Sequence, residues 1–132
     1  MTPLDLAASL LMKARDDLRA LRVLAQHAEV SDEVVGFHAQ QAVEKAVKAV
    51  LTAAGVRAGR THDLGRLIRL VRDAGTDVPE WIEGTFVFEP FAVTWRYAAL
   101  EPDESLDRAE AESLVTRVLE WAAQKIPPMP AS

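Results

Sequence analysis

The chain has 132 residues, 49% of them apolar and 27% charged, with a net charge of −5. That is the length of one domain, with enough apolar chain to bury a core and too little polarity for disorder. The absence of cysteine excludes disulfides, thiolate metal sites and cysteine nucleophiles, and accords with a cytoplasmic location.

Thr2 before Pro3 reads as an N-cap with proline at the first helical position. Leu4, Ala7, Leu10, Leu11, Ala14, Leu18, Leu21, Ala25 and Ala28 then follow at three- and four-residue steps, which predicts one amphipathic helix over about 3–28. Ser31 caps a second helix whose first turn holds Asp32 and Glu33, and Gly55 ends it after Ala54. Residues 55–60 form a loop. Thr61 is expected to cap a short third helix with Leu64, Leu67, Ile68 and Val71 inward, stopped by Gly75. A fourth helix is expected to start after Asp77, contain Trp81, Ile82 and Phe86, and break or kink at Pro90. Residues 98–104 read as loop, 105–126 as the last helix, and 127–132 as a flexible tail beyond Pro127 and Pro128.

The expected fold is all-α: an antiparallel up-and-down bundle of four to five helices, with residues 1–126 as one domain. The short loop between the two long helices makes them antiparallel neighbours. No apolar run approaches the roughly 20 residues of a membrane helix, and the first residues lack the basic-then-apolar pattern of a secretory signal.

Charge is unevenly spread. Residues 73–132 hold twelve Asp or Glu against four Lys or Arg. Between Arg57 and Arg72 stand five arginines and one acid, a patch able to attract phosphate groups or simply to line a solvated helix face.

Within the second helix, His38, Gln41 and Lys45 recur three and four residues apart and so share a face. They make either a polar wall for a nucleotide, with Lys45 meeting its phosphate, or a satisfied network inside the bundle or across a dimer seam. The run Phe37-His38-Ala39-Gln40-Gln41-Ala42-Val43-Glu44-Lys45-Ala46-Val47-Lys48-Ala49-Val50-Leu51, followed by Arg60-Thr61-His62-Asp63-Leu64 and Thr94-Trp95-Arg96-Tyr97-Ala98, resembles the HEPN family across most of the chain. These are small helical proteins found beside nucleotidyltransferases and in toxin–antitoxin pairs.

The resemblance implies a homodimer that partners a small nucleotidyltransferase and binds nucleotide or RNA, with no metal and no cofactor. It also supplies an alternative, a metal-independent endoribonuclease toxin. Ribonucleases of the family carry an arginine, four to six residues, then a histidine; Arg57 and His62 fit that spacing and are the catalytic candidates. The arginine would stabilise phosphate charge and the histidine would move a proton. By position in the fold, Arg96 is the better counterpart of the family's arginine, yet residues 97–103 contain no histidine. Arg96 and Tyr97 are therefore read as nucleotide-binding, the ring stacking on a base, or else as an ion pair and a loop anchor. Six large rings between Trp81 and Tyr97 point to core or interface.

Overall fold

A computed structural model describes residues 1–92 and 105–128. Among these every regular element is helical, with no strand. Helix α1 spans Pro3–Leu24, α2 spans Asp32–Ala53, α3 spans Leu64–Asp73, a 3-10 helix spans Glu80–Phe91, and α4 spans Arg108–Lys125.

The predicted cap of α1 is present as a reciprocal box. The Thr2 hydroxyl accepts from the Asp5 amide at 3.1 Å, and the Asp5 carboxylate accepts from the Thr2 amide at 2.9 Å. The Thr2 amide first, and its hydroxyl second, hold the Asp5 carboxyl below the usual carboxylate value.

The end of α1 differs from expectation. It stops at Leu24, not near Ala28, and His27 lies in the turn that follows. The cause sits 80 residues away in sequence. The Arg108 guanidinium, at the start of α4, donates from Nη1 to the carbonyls of Ala25 at 3.3 Å and His27 at 3.1 Å, and from Nη2 to Val30. Its Nε meets Asp32 at 2.9 Å. A cation that satisfies the carbonyls leaving a helix end replaces the next helical turn.

Helix α2 is the central element and touches each of the others. Ala39, Ala42, Val43, Ala46, Val47, Ala49, Val50 and Leu51 are all buried, on more than one face, as a helix surrounded by neighbours must be. Its register against α1 is antiparallel: Asp17 meets His38 and Lys45, while Leu6 and Leu10 share a cavity with Lys48 and Thr52. Its small residues permit close approach. At Gly36 the Phe91 ring comes so near that an added Cβ would lie 2.4 Å from ring carbon. Gly36→Ala is thus expected to destabilise the fold by about 1–3 kcal/mol, read from the urea midpoint. A change within about 0.5 kcal/mol would show that the ring moves aside at little cost.

Gly55 ends α2 at φ 84°, and the Val56 amide closes back on the Leu51 carbonyl at 3.1 Å. The third helix starts later than expected. Asp63, not Thr61, is its N-cap, accepting from the Arg66 amide at 3.1 Å, while the Thr61 hydroxyl takes the Asp63 amide at 3.2 Å. His62 is tied back to α2, which holds the approach to α3 out of helical geometry. Leu64, Leu67, Ile68 and Val71 face inward as predicted.

The fourth element is a 3-10 helix, where an α-helix interrupted at Pro90 was expected. Its buried residues are Ile82, Thr85, Phe88 and Phe91, three apart each time. That is the 3-10 period, so one straight stripe faces the core. Pro90 is carried inside the run, and the Ala92 amide still reaches the Glu89 carbonyl at 3.0 Å. Trp81 lies under the Arg117 guanidinium at 4.2 Å, while Phe86 and Val87 stay exposed. The expected loop 98–104 and the tail from 129 onward lie outside the described residues. The last helix begins at Arg108, after an Asp107 cap, rather than at 105. Its Trp121 indole donates to the Asp77 carbonyl at 3.1 Å.

Candidate functional site

Polar side chains on α2 divide into two clusters. One faces α1. Asp17, placed on the buried side of α1 among Ala14, Leu18 and Leu21, accepts from Lys45 Nζ at 2.6 Å and from His38 Nδ1 at 3.0 Å. His38 and Lys45 therefore share one carboxylate, as their common face requires. All three are mostly buried, so their polar ends are satisfied within the bundle.

Gln41 belongs to the other cluster. Its amide donates to Gln40 Oε1 at 2.8 Å, and Gln40 donates to Glu44 Oε1 at 3.3 Å. Glu44 is the centre. Its carboxylate is 5% exposed, yet it receives His62 Nδ1 at 2.9 Å and Lys48 Nζ at 3.4 Å. A buried carboxylate with this many donors is not left unsatisfied.

His62 has a different environment from its partner. Its side chain is 67% exposed, although Nδ1 is bound to a buried acid. A carboxylate only accepts, so Nδ1 carries the proton and, in the neutral ring, Nε2 is the acceptor. The ring is thereby oriented, and among the described residues nothing bonds its second nitrogen. This is the arrangement by which an acid positions a histidine for proton transfer or for binding an oxygen of phosphate.

Arg57 is exposed and lines, together with Lys48, a cavity between the first turns of α1 and the loop after α2. Lys48 thus touches both the Glu44 cluster and the cavity that Arg57 borders. Arg60, Arg66 and Arg69 are exposed as well, and none of these arginines pairs with a carboxylate among the described residues. Arg72 reaches Glu83 at 3.5 Å. Arg96 and Tyr97 lie outside the described residues.

Asp17, Gln40, Glu44 and Lys48 were not singled out from the sequence. Two of them left a legible mark, because Asp17 and Glu44 are carboxylates inside otherwise apolar stripes. Such a charge needs a partner from elsewhere. Among the described residues no group of three His, Asp or Glu side chains is arranged to hold a metal ion.

The model of one family, described as HEPN domain, matches residues 7–126 of the chain. No curated protein and no solved structure matches it.

Proposed function

Because the chain belongs to the HEPN domain family, we propose that it is a nucleotide- or RNA-binding HEPN protein that works beside a small nucleotidyltransferase in a toxin–antitoxin-type pair in the cytoplasm. The observation that carries this reading is His62, held at Nδ1 by buried Glu44 with Nε2 unbonded among the described residues, next to exposed arginines that no described carboxylate neutralises. A phosphate accepting from these cations would gain charge-assisted bonds without first breaking an ion pair.

In this reading Arg57, His62, Arg96 and Tyr97 act by contact. His38, Gln41 and Lys45 act through the α2 geometry they hold against Asp17 and Gln40. A homodimer would set two such faces together, and light scattering on the purified chain tests that stoichiometry. Co-purification with a co-expressed nucleotidyltransferase tests the partnership.

The experiment for the site is binding of a short single-stranded RNA and of ATP in the presence of chelator. His62→Ala and Arg57→Ala are each expected to weaken binding by about tenfold, the loss of one charge-assisted contact. The affinity should also fall steeply with added salt. Unchanged binding in both variants would remove the site from this face.

The Glu44–His62 bond also favours a second reading, metal-independent RNA cleavage with His62 moving the proton and Arg57 stabilising the phosphate. Cutting of RNA in chelator, lost in His62→Ala, would decide for it. Intact RNA alongside tight binding would decide for the first.

A further inference from the structure

The cavity beside Arg57 has a volume of about 750 Å³. Its lining includes aliphatic Leu6 and Leu10 of α1 and Val56 of the loop after α2, together with Lys48, Thr52 and Arg57. Leu6 is 43% exposed, an apolar side chain left uncovered next to a cation. Small residues, Gly55, Ala58 and Gly59, also line the cavity. Gly55 and Gly59 both adopt positive φ, and a Cβ at either would meet nothing within 4 Å.

Two features of the lining define what it can accept. Among the described lining residues there is no carboxylate and no aromatic ring. Their charge is therefore positive, and they offer a nucleobase no ring to stack on. Three carbonyls at the end of α2 already accept a hydrogen bond: Ala54 donates to Val50 at 3.1 Å, Gly55 to Thr52 at 3.0 Å and Val56 to Leu51 at 3.1 Å. Lys48 is partly balanced by Glu44, whereas Arg57 has no carboxylate partner among the described residues.

We infer that this cavity binds a small amphipathic anion, an aliphatic chain ending in a carboxylate or a phosphate monoester. The chain lies against Leu6, Leu10 and Val56, and the headgroup meets Arg57 with Lys48 beside it. Burial of the tail and pairing of the head act together, so neither half alone should bind well. The inference goes beyond the RNA or nucleotide reading and does not rest on it.

Titration calorimetry on the full chain tests it, with decyl phosphate, decanoate, decanol, inorganic phosphate and AMP as probes, each below micelle concentration. Decyl phosphate or decanoate should bind with one-to-one stoichiometry, about tenfold or more tighter than decanol or inorganic phosphate. The stronger of the two identifies the headgroup. Leu6→Asp should weaken that binding by about tenfold, and it leaves the fold intact because an acid is tolerated in the first helical turn. Arg57→Ala should weaken it similarly, while His62→Ala should not. Decanol binding as tightly as the anions, affinity unmoved by Leu6→Asp, or AMP displacing decyl phosphate at equal affinity would each overturn the assignment. RNA binding that persists in Leu6→Asp leaves the proposed function standing, whatever the fate of the cavity.

Discussion

Asp17→Ala is expected to lower folding stability by about 3 kcal/mol, measured as a shift of the urea midpoint at constant slope. The carboxylate is 12% exposed and serves two donors at once, Lys45 at 2.6 Å and His38 at 3.0 Å. Alanine removes the acceptor and leaves both donors between α1 and α2. Each keeps 27% of its side chain exposed, so water relieves part of the penalty. The cost therefore falls at the lower end of that for a broken buried pair.

Removing both charges together should cost much less. Asp17→Leu with Lys45→Met replaces the pair by apolar groups, and is expected to recover most of the loss, to within about 1 kcal/mol of the parent. Equal loss in the double variant would mean that the ion pair itself, rather than the orphaned charge, supplies the stability. The result also bears on the family-like stripe of α2. If Asp17 is its anchor, His38 and Lys45 are there to set the register of α1 on α2.

Arg108→Ala is the second large effect, expected at about 3 kcal/mol. One guanidinium bonds the carbonyls of Ala25, His27 and Val30 and pairs with Asp32, which also accepts the Leu106 amide at 3.2 Å. Its loss frees the α1–α2 turn from α4 and strands several partly buried acceptors. Arg108→Lys should restore only a minor part, since an ammonium offers three donors from one point and cannot reproduce the fork. Amide exchange localises the effect: residues 25–31 should lose protection first. A lysine variant as stable as the parent would show that charge alone suffices there.

Much of the helix framework follows from local signals. Thr2 and Ser31 cap as expected because an oxygen near free amides needs no distant partner. Gly55 and Gly75 stop α2 and α3 because only glycine adopts their φ without strain. The inward faces of α1, α2 and α3 could be read from spacing, since 3.6 residues per turn is a backbone property.

Two of the departures from expectation have a distant cause. Ala25 and Ala28 continued the apolar spacing of α1, yet the helix ends at Leu24 because Arg108 offers its carbonyls better partners. Thr61 was a sound cap locally, but His62 is drawn to Glu44 and the cap passes to Asp63. From Glu80 to Phe91 the buried residues, Ile82, Thr85, Phe88 and Phe91, recur every three. Polar Thr85 in that stripe and apolar Phe86 and Val87 outside it hide the period from a reading of apolar spacing.

The candidate site divides along the same line. His38, Gln41, Lys45, Arg57 and His62 were visible as polar groups at suggestive spacing, and the family they signal is the one the chain belongs to. Which partner each would take was not visible. His38 and Lys45 meet an acid 21 and 28 residues upstream, and His62 meets one 18 residues upstream.

The sequence by itself determined the all-helical class, the caps at Thr2 and Ser31 and the inward faces of α1 and α3, because these depend on a few neighbouring residues and a fixed backbone period. Only the tertiary structure decided that His38 and Lys45 are held on Asp17, that Glu44 holds His62 by Nδ1, and that Arg57 borders a cavity. Those outcomes depend on which distant carboxylate is carried within hydrogen-bond reach, and chain packing sets that distance.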